Sequence, residues 1–260
     1  MMTASVRLSS FIVAHNEAEQ LADCLATLAF CDERVVVLDR CTDTSRTIAM
    51  GMGAQIVEGA WPIEGDRRRA GQEACKGRWI LEVDADERVP PALAAEIKQV
   101  LAAREAEGPD WWRIPFDNYI GSRLVRFGWG AQFGVGAKAV LYRKGSKSWG
   151  LQHVHPKTKM LGVSGPSLTA RMEHYVDRDI SDMIQRLDRY TTQHALDLIE
   201  ERNIGTFRKN IARIFGRFWK CFVLRKGYKE GAIGFLIALF AGLYPILSYI
   251  KALERQKNNP

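Results

Sequence analysis

What the sequence lacks narrows its possibilities first. Its five cysteines, Cys24, Cys31, Cys41, Cys75 and Cys221, are odd in number and show no Cys-x-x-Cys spacing. That argues against a disulfide framework and against a cysteine-rich zinc site, and a reducing compartment fits best. No Gly-x-Gly-x-x-Gly follows the first apolar run, where His15-Asn16-Glu17-Ala18-Glu19 stands without a glycine, so a dinucleotide-binding half-domain is set aside. No Gly-Lys-Ser or Gly-Lys-Thr follows a strand pattern either, which removes the P-loop. No basic head with an apolar core opens the chain, so the expectation is no signal peptide and residence on the cytoplasmic side. Acidic residues are missing from the whole stretch between Arg202 and Lys229, which holds nine basic ones and thereby carries the net charge of +7. Such a segment points to an anionic partner, nucleic acid or membrane.

What is present is a core of ordinary size: 260 residues, 47% of them hydrophobic, enough for one α/β domain with an appendage. The stretch that organises the chain is Trp79-Ile-Leu-Glu-Val-Asp-Ala-Asp-Glu87. A run of β-formers there ends in Asp84 and Asp86, and the C-terminal end of a strand in an open α/β sheet is where ligands bind. Two carboxylates so close repel unless a cation lies between them, and a hard divalent metal bridging to phosphate satisfies both. The pattern predicts a metal-diphosphate site. With no phosphate-binding glycine loop, basic side chains must help, and Arg67, Arg68 and Arg69 precede the strand. Three successive residues cannot share one helical face, so at most two serve the site.

Taken in order, Val6–Ala14 reads as a strand broken at His15-Asn16-Glu17, with Asn16 expected to cap the helix that carries Leu21, Leu25 and Leu28. Arg34–Leu38 is a second strand ending in Asp39-Arg40-Cys41-Thr42-Asp43. Thr44–Met50 predicts a short helix, Gln55–Val57 a strand, and Asp66–Cys75 a helix into the Trp79 strand. Alternating strands and helices imply a Rossmann-like, mostly parallel sheet flanked by helices, with Asn16, Asp39 and Asp84 along one rim. Beyond lie a helix from Pro90-Pro91 to about 106, a strand over Asp110–Phe116 followed by Asp117-Asn118-Tyr119, and a strand over Ala139–Arg143. Phe127, Trp129, Phe133 and Trp149 suit either an acceptor groove or packing under loops.

Three of these stretches, Phe11–Glu17, Val35–Asp43 and Lys76–Glu87, in this order and spacing, resemble the successive signatures of the family-two inverting glycosyltransferases of GT-A fold. The Trp-Ile-Leu-x-Val-Asp-Ala-Asp-Glu-Arg-Val form is most similar to the branch acting on lipopolysaccharide inner core. The resemblance implies that Ala14, His15, Asn16 and Glu17, with Asp39, hold the nucleoside, that Arg68 approaches base or phosphates, and that Asp84 and Ala85 lie at the ribose. It further implies Asp86 as the ligand of Mg²⁺ or Mn²⁺, His174 as a metal or phosphate contact, and a UDP-sugar as donor.

An inverting transfer needs a base for the acceptor hydroxyl. Alternation puts His153 and His155 on one strand face, and where the resembling enzymes have Val-His-Glu this chain has Pro156. His155 is the nominee, with Asp117 and Glu173 as alternatives. Ile180–Asn203 predicts a long helix. After Gly205 the row Phe207, Ile211, Ile214, Phe215, Phe218 and Phe222 opposes Arg208, Lys209, Arg213, Arg217 and Lys220. That is the pattern of a helix lying in a membrane interface, and nucleic acid would not accept the phenylalanines. A second copy covering the row, as a homodimer, is the other expectation. Gly231–Ile250 carries no charge and, interrupted by Gly234, Gly242 and Pro245, predicts a hairpin or re-entrant pair dipping into one leaflet.

The expectations are therefore a GT-A domain over 1–204 and membrane-associating helices over 205–260, at the cytoplasmic face of the inner membrane. The acceptor is a lipid-linked saccharide. A polyprenyl phosphate acceptor and an inactive sugar-binding scaffold are the alternatives.

Overall fold

The computed structural model describes residues 7–103, 108–130, 134–152 and 156–258. Chain contacts divide it into two units, one of residues up to Phe116 plus Ala137–His174, the other of Asp117–Gly136 plus the chain from Tyr175 onward. This division falls elsewhere than the 204/205 boundary read from the sequence.

In the first unit the elements follow one another as β1 (Leu8–Ala14), α1 (Ala18–Thr27), β2 (Glu33–Asp39), α2 (Ser45–Gly51), β3 (Gln55–Gly59), α3 (Glu64–Ala74) and β4 (Trp79–Asp84). Strands β3, β2, β1 and β4 lie side by side and parallel, with Ala14 opposite Leu38 and Val13 opposite Asp84. β1, β2 and β4 are buried along nearly their whole length, as strands covered on both faces require, whereas β3 at the edge is half-buried or exposed. The shared register brings the ends of β1, β2 and β4 to one rim, as expected.

After the two-residue β5 (Glu87–Arg88) and α4 (Pro91–Ala103), β6 (Trp111–Ile120) begins in the first unit and ends in the second, where it pairs with β7 (Arg123–Val125). The strand therefore includes Asp117, Asn118 and Tyr119, which the sequence reading placed beyond it. Alternation continues unbroken through them, Phe116 and Asn118 inward and Asp117 and Tyr119 half-buried. β8 (Ala137–Arg143) runs antiparallel to both β4 and β6, so the sheet turns from parallel to antiparallel at β4. β9 (Lys147–Trp149) and β10 (Thr158–Met160) form a separate hairpin, and β11 (Met172–Asp177) pairs with β5, Glu173 opposite Arg88 and His174 opposite Glu87.

The core of this unit joins Phe11, Val35, Cys75, Ile80, Tyr142 and Trp149. Trp149 is thus a packing residue, as is the fully buried Tyr142. Helix α3 sits so close to the sheet that a methyl group on Gly71 would come within 2.7 Å of Phe11 and 2.9 Å of Val37. That close approach carries the arginines of α3 down to the carboxylates of β2 and β4.

The second unit contains α5 (Ile180–Glu200), α6 (Phe207–Trp219), a π-helical turn at Lys220–Leu224 and α7 (Gly231–Asn258). Here the expected hairpin is corrected: α7 is one continuous helix with Pro245 inside it. Gly234 and Gly242 do not break it; they admit neighbouring backbone, the carbonyls of Gly227 and Ile214 lying where a Cβ would stand. α7 is long and apolar enough to cross a membrane, but 61% of its apolar window is buried. It packs on α5 and α6, with Ile237, Ala238, Phe240, Ala241 and Tyr244 in a core that also holds Trp129, Met183 and Leu187.

The phenylalanine row of α6 divides. Phe218 and Phe222 turn inward against Phe235, whereas Phe215 is 71% exposed and, with Trp219 and Leu224, stands on the outer face among Arg208, Lys209 and Lys220.

Candidate functional site

At the end of β1 the chain leaves its strand through Asn16, whose positive φ of 59° is a conformation asparagine tolerates better than most residues. Asn16 does not cap α1, contrary to expectation. Glu17 occupies the cap position without a side-chain hydrogen bond to the helix-end N–H groups, and the Asp43 carboxylate accepts the Ala18 N–H instead. The Asn16 Oδ1 accepts the N–H groups of Thr42 and Asp43, the Glu17 N–H donates to Ser45 Oγ, and the exposed His15 ring meets the Asp39 carbonyl at 2.6 Å. Ala14 is buried and its carbonyl accepts the Cys41 thiol. The turns after β1 and β2 are therefore tied to one another into one platform.

Asp39 is fully buried beneath this platform, and its carboxylate accepts from Arg40, Arg67 and the Trp61 N–H at 2.8 to 3.2 Å. Burial would raise its pKa, but these donors hold it below the usual carboxylate range. Its oxygens are already engaged. Asp39 fixes Arg40 and the turn around Trp61, and a base N–H could reach it only by displacing the half-exposed Arg40.

The three arginines point three ways: Arg67 to Asp39, Arg69 out to Asp66, and Arg68 inward. Arg68, expected to approach base or phosphates, is bonded to acids of the fold. Its guanidinium is spent on Glu64 at 2.7 Å, Glu82 at 2.7 Å and Asp84 at 3.0 Å, and it is a clamp inside the fold. Glu82, a buried acid in the middle of β4, is also held by Lys147 at 2.5 Å. Burial pulls the Lys147 ammonium below the ordinary lysine value in spite of that partner. Asp84, where the ribose was expected, receives Arg68 on Oδ1 and Lys138 on Oδ2. Burial alone would raise its pKa, yet Arg68 and then Lys138 drive it far down, so it is a carboxylate at any working pH.

Beyond Asp84, the buried Ala85 gives its carbonyl to Arg88. Asp86, Glu87 and His174 then gather ligand atoms that all lie within 4.8 Å of one another. His174 Nε2 is 3.3 Å from Asp86 Oδ2, and the imidazole is edge-on to Phe116. The second oxygen of Asp86 is buried and has no hydrogen-bond partner. A buried carboxylate oxygen without a donor is costly, and one imidazole beside one such carboxylate is a donor set that a divalent cation satisfies. The two residues expected at the metal, Asp86 and His174, are distant in sequence and are brought together by the β5–β11 pairing.

Asp117 belongs to the second unit, half-buried on the face of β6 opposite Phe116. Glu173 is half-buried on β11 opposite Arg88. His153 and His155, with Phe133 of the aromatic set, lie outside the described residues. Glu64, Glu82, Glu87, Lys138 and Lys147 were missed as site residues. Only Glu82 and Glu87 carried a local signal, an acid within a buried strand and an acid beside the Asp-x-Asp.

Compared with known proteins, the chain is 26% identical over 98% of its length to the lipopolysaccharide core biosynthesis glycosyltransferase LpsC of Rhizobium meliloti, covering 94% of that protein. It is 25% identical over 97% of its length to an uncharacterized glycosyltransferase of Rickettsia felis, covering 92% of it. The crystal structure of S. aureus TarS 1-349 with UDP-GlcNAc superimposes on 95% of the chain and 88% of that chain, with a TM-score of 0.51 at 14% identity. The chain is a glycosyltransferase of GT-A fold. No family model matches it. In this glycosyltransferase the similarity to relatives runs through both units, since each alignment covers nearly the whole chain.

Proposed function

We propose that this glycosyltransferase transfers a hexose from a UDP-sugar, with inversion and with a divalent cation, to a lipid-linked saccharide such as lipopolysaccharide core. The observation that carries the reading is the Asp86–His174 pair with the unpartnered Asp86 oxygen, directly beyond the strand that ends in Asp84. The tied turns at Asn16 and Thr42 would seat the nucleoside, and Asp39 would act through Arg40 and the Trp61 turn. A cation held by Asp86 and His174 would offset the charge on the departing nucleoside diphosphate. His155, or Asp117, would take the acceptor proton. The donor class is supported by the TarS fold, solved with UDP-GlcNAc, and the acceptor class by the full-length similarity to LpsC.

Calorimetry tests the donor site. UDP is expected to bind at least about tenfold tighter with Mn²⁺ than without, because the metal bridges protein and diphosphate. Equal affinity in both conditions, or no affinity at all, would remove the metal-diphosphate reading and leave a sugar-binding scaffold.

We further infer that 205–260 holds the enzyme on the cytoplasmic face of the membrane through α6, in whose plane the acceptor would be presented. The exposed Phe215, Trp219 and Leu224, bordered by basic residues with no acid between Arg202 and Lys229, match an anionic lipid surface. The full chain is expected to co-sediment with phosphatidylglycerol vesicles and poorly with phosphatidylcholine, the binding falling as salt rises. Phe215→Ser with Trp219→Ser should weaken it about tenfold or more, since each large apolar side chain is worth ~1.5–3 kcal/mol when buried. A dimer in solution that these changes dissociate, without vesicle binding, would instead assign the face to a second copy.

A further inference from the structure

Lys138 is the one cation at the Asp-x-Asp that no sequence motif announces. β8 runs antiparallel to β4 with Leu81 facing Leu141, so moving back along β8 toward Lys138 moves outward toward Asp84. The Lys138 Nζ lies 3.1 Å from Asp84 Oδ2 and 2.7 Å from Glu87 Oε1, and 5.0 Å from the centre of the Phe116 ring. Glu87 is almost completely buried, and its other oxygen accepts the Asp84 N–H at 3.0 Å.

The three carboxylates are therefore not equivalent. Asp84 has a cation on each oxygen, Arg68 and Lys138. Glu87 has a donor on each oxygen. Asp86 has His174 on one side and nothing on the other. Glu87 is nonetheless close enough to Asp86 and His174 to serve as a third ligand of one ion.

We propose that Lys138 is a positioning residue that withholds Glu87 from the metal, limiting the protein's ligands to Asp86 and His174 and leaving the other coordination positions to diphosphate oxygens. This rests on the donor-site reading above. The physical reason is charge and coordination. Mg²⁺ and its relatives are held in nucleotide enzymes by one or two carboxylates plus substrate phosphates, whereas a further protein carboxylate builds a site that binds metal by itself. An ammonium fixed on Glu87 competes with the cation for that carboxylate. The cost of holding two acids side by side is met at the same time, because Lys138 lies against both. Metal capture thus becomes conditional on the nucleotide, and the metal can leave with it.

The test is Mn²⁺ binding to the full chain, read from the free-ion electron paramagnetic resonance signal, with and without UDP. The wild type should bind Mn²⁺ weakly alone and at least about tenfold tighter with UDP. Lys138→Gln should bind Mn²⁺ alone about tenfold tighter than the wild type, as Glu87 joins the ligands, and should show less gain from UDP. Lys138→Arg, which keeps the charge, should behave as the wild type, and adding Glu87→Gln to Lys138→Gln should abolish the gain. Lys138→Gln with wild-type or weaker Mn²⁺ affinity overturns the proposal. So does loss of Mn²⁺ affinity relative to the wild type in the double variant Lys138→Gln, Glu87→Gln, which keeps the local net charge and buries no unpaired ion, an outcome available even if Lys138→Gln alone does not fold. If the wild type fails to bind Mn²⁺ even with UDP, the donor-site reading fails first and this proposal falls with it.

Discussion

Asp86→Ala is expected to lower sugar transfer on the order of 10³-fold while leaving the thermal midpoint close to that of the wild type. Losing a ligand that lets a metal stabilise a leaving diphosphate removes several kcal/mol from the transition state, and ~4 kcal/mol corresponds to about three powers of ten. The fold has little to lose at this position. One Asp86 oxygen has no partner and the other meets only His174, so alanine relieves an unsatisfied buried atom and breaks no ion-pair network. Steady-state transfer with a UDP-sugar, read beside circular dichroism melting, checks both halves. A variant that keeps more than about a tenth of the activity would show that Asp86 is not the metal ligand. A variant that loses activity only because it melts would make it structural. His174→Ala should follow Asp86→Ala in activity, because the two side chains form one site.

The parts of this site that the sequence exposes are those whose physics is local. β1, β2 and β4 are short β-branched runs broken by polar residues, and that contrast alone places Asn16, Asp39 and Asp84 at strand ends. The parallel register then lines them up. Lys138 and Lys147, by contrast, lie 51 and 65 residues from Glu87 and Glu82 and read as ordinary surface lysines until β8 and the β9 hairpin fold over β4. The acid contacts of Arg68 were hidden for the same reason. A basic residue beside a phosphate motif suggests an anion, but in the fold three carboxylates reach it first. On α6 the periodicity correctly marked an amphipathic helix, yet periodicity cannot say what covers the apolar side. Part of the row is taken by α7, and the members left outside, Phe207 and Phe215, were not distinguished from it. The same limit hid the fate of the charge-free C-terminal run, since a buried helix and a membrane segment have the same composition.

Arg68→Met should be the most damaging single change to stability, about 3–5 kcal/mol at neutral pH, because it leaves buried acids without their cation. Glu64, Glu82 and Asp84 all bond to this one guanidinium within 3.0 Å. Lys147 and Lys138 can answer for Glu82 and Asp84, whereas Glu64 loses both hydrogen bonds from the guanidinium. Loss on this scale is a large share of the ~5–15 kcal/mol that holds a domain together. The pH dependence separates this cause from simple loss of packing. In the wild type, burial raises the Glu64 and Asp84 pKa values but Arg68 more than reverses it, so both lie below their unfolded values. Their contribution is therefore fully present above the unfolded carboxylate pKa of about 4 and is lost as pH falls through the lower folded values. Without Arg68 that depression shrinks, with Lys138 still acting on Asp84 and Arg67 on Glu64, and protonation in the folded state relieves the repulsion. The stability gap between wild type and variant should be widest near pH 7.5 and should narrow steadily toward pH 4. Urea unfolding of both proteins across that range measures it. A gap that is the same at both ends would mean that Arg68 contributes through packing, and that the acids beneath the donor site do not depend on its charge.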